Sequence, residues 1–69
     1  MEATDMTSIS YLGHNSLDHT VTFAISGVRY EYWLTPHLCE AITYTATRIS
    51  LWRALGLAKR RALRWEKLA

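Results

Sequence analysis

The chain has 69 residues, one cysteine and a formal net charge of +2, which excludes a second domain, a disulfide framework and a core large enough to hide every aromatic side chain. No apolar run approaches the roughly 20 residues that span a bilayer, and the opening MEATDM carries acids where a secretory signal would carry lysines, so a cytoplasmic protein with no membrane role is expected. The charge is uneven: residues 1–47 hold five acids against Arg29, a balance of −4, and residues 48–69 hold seven bases against Glu66, a balance of +6.

Met1 to Met6 is polar and acidic and is expected to be a flexible lead-in. Ser8 to Leu12 is a candidate first strand, and His14 to Asp18 has the Asn, Ser and Asp content of a connecting loop. Thr20 to Ile25 and Val28 to Leu34 are rich in β-branched and aromatic residues, with Ser26-Gly27 between them as a hairpin turn. The expected fold is therefore α+β, with a three-stranded antiparallel sheet over residues 8–34 followed by two helices. A two-residue turn sets Ile25 opposite Val28, Phe23 opposite Tyr30, Val21 opposite Tyr32 and His19 opposite Leu34. Alternation then sends Tyr30 and Tyr32 to the core side and puts Thr22, Ala24, Arg29, Glu31 and Trp33 on the other face. A three-residue turn with a bulge would slip this register by one and exchange the two faces.

Thr35-Pro36 starts a helix, because Thr accepts a bond from an orphaned helix amide and Pro in the first turn gives up no needed donor. Leu38, Ala41, Ile42 and Thr45 form an apolar stripe on a helix over residues 36–46. The weak helix formers of TYTAT predict a break near Thr47. From 48 to 67 a turn of about 100° per residue gathers Leu51, Ala54, Leu55, Ala58, Ala62 and Trp65 on one side of a basic amphipathic helix. Arg53, Arg60, Arg64 and Lys67 fall on the opposite flank. Gly56 marks either a kink in this helix or a division into two shorter ones.

No chemistry-bearing constellation accompanies these elements. His37 and Cys39 lie two apart and His14 and His19 five apart, and neither spacing suits a structural zinc site. The chain shows no nucleophile with a base and an orienting group, and its three glycines at 13, 27 and 56 make no phosphate cradle. A non-enzymatic protein without metal or cofactor is expected. Guanidinium groups spaced along a rigid rod neutralise phosphates and release counterions, which makes a nucleic acid the favoured partner, although a solvated helix face explains the same charges. A basic amphipathic helix also suits anionic lipid, but here its apolar side is needed for the core. Trp33, aided by Arg29, is placed to stack an unpaired base; a covering helix or a second subunit is the alternative account of that indole.

The segment SISYLGHNSLDHTVTFAISGVRYEYWLTPHLCEAI, Ser8 to Ile42, resembles the KTSC domain, named for the C-terminus of some lysyl-tRNA synthetases and found also as a stand-alone bacterial or phage protein. The resemblance rests on a Ser-Ile-x-x-Leu opening strand, an apolar strand ending Ser-Gly, the motif Tyr30-Glu31-Tyr32, and a Pro that starts a helix. It lies within the first two thirds of the chain, and it implies a small antiparallel sheet with helices and a suggested role in RNA binding. After Ala46 the sequence departs from it: a Ser-x-Gly-x-aromatic stretch would be expected, and a basic segment stands there instead. Two readings follow. The first is an RNA-favouring nucleic-acid module using Arg53, Arg60, Arg64, Lys67, Trp33 and Arg29; the second is a small phage-type inhibitor, anti-CRISPR-like, that covers a site on a host protein of nucleic-acid metabolism. A homodimer is a third possibility.

Overall fold

The computed structural model describes residues 8–69, so the expected flexible lead-in over Met1 to Met6 lies outside the described residues. Four strands and two helices follow in the order β1 (Ile9–Asn15), β2 (Thr20–Ile25), β3 (Val28–Trp33), α1 (Pro36–Arg48), α2 (Leu51–Arg61) and β4 (Arg64–Lys67). The strands make one antiparallel sheet in the order β1-β2-β3-β4. The α+β class stands, but the three-stranded sheet expected from the sequence is corrected to four strands. The fourth strand comes from the segment read as the end of a helix.

The β2–β3 hairpin has the register expected of a two-residue turn, with Ile25 opposite Val28, Phe23 opposite Tyr30 and Val21 opposite Tyr32. Ser26 and Gly27 both have positive φ, 51° and 82°, which is the twist a tight hairpin demands and which glycine adopts without strain. The Leu34 amide donates to the His19 carbonyl at 2.9 Å and extends the pairing one step past the strand ends. β1 runs further than Leu12 because a bulge between Tyr11 and Gly13 absorbs one residue and lets pairing resume as far as Asn15. The Asn15 Oδ1 then accepts from the amides of Leu17 and Asp18, at 2.8 and 3.3 Å, and turns the chain into β2.

Thr35 caps α1 by accepting the Leu38 amide, and Pro36 opens the helix. α1 runs to Arg48, two residues past its expected end, and Ser50 caps α2 through the Arg53 amide. Both helices lie on one face of the sheet, α1 against β1 and β2, and α2 against β1. Between the layers Val21, Phe23, Tyr32, Leu34, Cys39, Ile42, Ala54, Leu55 and Ala58 are buried. Cys39 takes the core position expected of Ala41, which is exposed. The aromatic interior is ordered edge to face: Tyr11 and Phe23 centroids are 5.3 Å apart, Phe23 and Tyr32 6.1 Å.

α2 passes Gly56 without a break and ends at Arg61. Ala62 leaves it with an extended backbone, φ −64° and ψ 138°, and the chain turns back to lie along β3. A bare β3 edge would leave a row of backbone donors and acceptors unpaired. The β4 ladder satisfies it, and that gain outweighs four more residues of exposed helix.

Candidate nucleic-acid interface

Strand alternation sorts the side chains of β3 and β4 onto two different surfaces. Tyr32 faces Trp65 and Tyr30 faces Lys67 on the helix side; Trp33 faces Arg64 and Glu31 faces Glu66 on the outer side. The expected row of Arg53, Arg60, Arg64 and Lys67 on one helix flank is therefore corrected. Arg53 and Arg60 stay together on α2, separated by two turns, while Arg64 and Lys67 belong to β4 and point to opposite faces of the sheet. Trp65 likewise lines no helix stripe and is 58% exposed.

On the outer face Trp33 is half-buried, and the guanidinium carbon of Arg64 sits 4.0 Å from its ring centre. Arg64, not Arg29, occupies the indole face that was expected to receive a base. Arg29 shares the surface but stands beyond Glu31 on the same strand. Arg64 also reaches Glu66 at 3.7 Å, the ion pair found among the described residues. With Glu31 and Glu66 directly opposed, this face mixes both signs of charge.

The helix side differs. α1 packs over β1 and β2 and α2 over β1, so the inward face of β3–β4 is left partly open. Ile25, Tyr30, Tyr32, Trp65 and Lys59 line a groove of about 440 Å³ there. Tyr30 and Trp65 tilt toward each other, with centroids 6.0 Å apart. Lys59 comes from the last turn of α2 and lines the groove, and Lys67 holds the register position opposite Tyr30, on the same face of β4 as Trp65. Both acids of these strands, Glu31 and Glu66, lie on the other face. The result is an aromatic shelf bordered by cations and free of carboxylates from its own strands.

The two tyrosines have different roles. Tyr32 is 2% exposed and belongs to the core, whereas Tyr30 is half-buried and forms part of the shelf. Burial raises the Tyr32 phenol above its ordinary pKa, and the nearby Tyr30 adds to the effect. Tyr11 is raised mainly by burial, opposed by its 2.7 Å hydrogen bond with the Thr43 hydroxyl. Sequence reading missed Lys59, Tyr30 and Trp65 as a group. The usable signal was the alternation in Arg64-Trp65-Glu66-Lys67, which sends the indole one way and the Arg and Glu the other.

Among the described residues no three His, Cys, Asp or Glu side chains gather to hold a metal ion, and no helix is long and apolar enough to cross a membrane. No family model, curated protein or solved structure matches this chain.

Proposed function

We propose that this protein is a small non-enzymatic module that binds single-stranded nucleic acid, RNA in preference to DNA, on the shelf formed by Tyr30, Trp65, Lys59 and Lys67. The observation that carries the reading is the pairing of an exposed indole with two lysines on a surface from which the strand carboxylates are excluded. Unpaired bases stack on aromatic faces, and each such contact contributes about 1–3 kcal/mol. Backbone phosphates are held by cations without regard to sequence. The consecutive cations Lys59, Arg60 and Arg61 close α2 immediately before β4, and of these Lys59 lines the groove. The resemblance of Ser8 to Ile42 to the KTSC domain, for which RNA binding is suggested, points the same way.

The test is filter binding of single-stranded RNA and DNA at two salt concentrations. Affinity should fall as salt rises, and Lys59→Ala with Lys67→Ala should flatten that dependence. Trp65→Ala should weaken binding by about 10-fold or more while leaving the salt slope intact. Binding that ignores salt, or that survives all three substitutions, overturns the reading.

A second reading draws on another surface. Tyr44, Ile49 and Trp52 are each more than half exposed near the junction of α1 and α2, and Tyr and Trp are residues that anchor protein interfaces. A phage-type inhibitor that blocks a host protein would use this corner. Capture of a partner from nuclease-treated lysate, abolished by Trp52→Ala and not by Trp65→Ala, would favour it.

A further inference from the structure

The free edge of β4 carries a second regularity. The Leu68 amide donates to the Arg29 carbonyl at 2.8 Å, in phase with the Tyr32–Trp65 register. In an antiparallel ladder hydrogen-bonding groups alternate between the two sides of a strand. Arg64, Glu66 and Leu68 thus direct their backbone groups to β3, and Trp65 and Lys67 direct theirs outward. All four β4 side chains are exposed, and Leu63, just before the strand, is 72% exposed.

We infer that this edge pairs with the β4 edge of a second copy of the chain, antiparallel about a two-fold axis at Trp65, to form a continuous eight-stranded sheet. The choice of register follows from charge. Two-fold pairing perpendicular to the sheet opposes residues of like facing, so the axis passes through a residue, and an axis at Trp65 or at Glu66 pairs most of the four-residue strand. An axis at Glu66 sets two carboxylates against each other. An axis at Trp65 sets Arg64 against the second copy's Glu66 and Glu66 against its Arg64, and lets the two Trp65 backbones exchange both hydrogen bonds. Charged side chains protect an edge strand when they meet their own sign; here the order Arg-Trp-Glu meets the opposite sign. The second copy also extends the shelf, because the two indoles fall side by side and the row Tyr30–Trp65 continues through the axis into its mate.

Dimer formation does not depend on whether a nucleic acid binds, so the experiment uses nuclease-treated protein alone. Sedimentation over a range of concentrations should show a monomer–dimer equilibrium. Arg64→Glu and Glu66→Arg should each weaken the dimer about tenfold by turning two attractive pairs into repulsive ones, and the double exchange should restore it. Restoration separates pairing across the axis from the loss of the Arg64–Trp33 contact, which the exchange does not repair. The Trp65 and Lys67 amides should gain protection from hydrogen exchange as concentration rises, while the Phe23 amide does not respond to concentration. A chain that stays monomeric at the highest concentration, a dimer indifferent to the single reversals, or a double exchange that fails to restore it overturns the inference.

Discussion

The guanidinium of Arg64 lies over the indole of Trp33, 4.0 Å from the ring centre, directly across the β3–β4 ladder. This contact ties the last strand to the end of the hairpin on the face away from the helices. An exposed cation–π pair contributes about 0.5–1 kcal/mol. Arg64→Ala should lower the stability by that amount in a denaturant titration. A cycle with Trp33→Leu should recover a coupling energy of the same size, whereas Arg29→Ala should show no coupling to Trp33.

Glu31 and Glu66 oppose each other across the same two strands. Like charges in that position destabilise a sheet, and opposite charges contribute about 0.2–1 kcal/mol. Glu31→Lys should therefore stabilise the protein, with the gain shrinking as salt screens the new pair. Equal stability of the variant and the parent at low salt would mean that Glu66 is already fully compensated by Arg64 at 3.7 Å.

Gly56 sits inside α2, and a Cβ added there would meet nothing closer than the Arg60 guanidinium at 3.9 Å. The helix is continuous through it, so the position loses helix propensity without using the freedom of glycine. Gly56→Ala should raise stability by about 1 kcal/mol and Tm by roughly 4–8 °C in a domain of this size.

The alkaline limb of stability should be steep. Tyr11, Tyr32 and Cys39 are all raised by burial above their ordinary values of 10.0, 10.0 and 9.0. Each is held protonated in the fold while the unfolded chain releases its proton first. Their stabilising effect is complete below about pH 9 and is lost as pH rises through the folded values. Unfolding followed by circular dichroism from pH 8 upward should show this fall, and Tyr32→Phe should make it shallower.

Much of the fold was legible because the informative residues act locally. Ser26-Gly27 can make a tight reversal by itself, and once the turn is fixed the facing of Val21, Phe23, Tyr30, Tyr32 and Trp33 follows by alternation. Thr35-Pro36 starts α1 through a cap and a ring geometry that need no distant partner. The last strand was not legible, because Ala62 to Lys67 contains no glycine or proline stop and its residues tolerate a helix. What makes it a strand is the unpaired edge of β3, more than thirty residues earlier in the chain, and a periodic reading of the segment alone cannot register that edge. The grouping of the candidate residues on one surface was misread for the same reason. Assigned to a helix, Arg64, Trp65 and Lys67 fall on wrong surfaces, and Trp33 is left with an empty face that Arg64 in fact fills.

The junction of β3 with β4 is the one seam of the sheet whose strands are far apart in the chain. Closing a long loop is slow and entropically costly, whereas neighbouring strands find each other early. The hairpins and the helix pair can assemble while the terminal segment is still searching. Detachment of that segment would expose Tyr30 without disturbing Phe23 or Ile42. Occupancy of the shelf and docking of the final strand are thus thermodynamically linked: whatever grips Trp65 also holds the last stave in place.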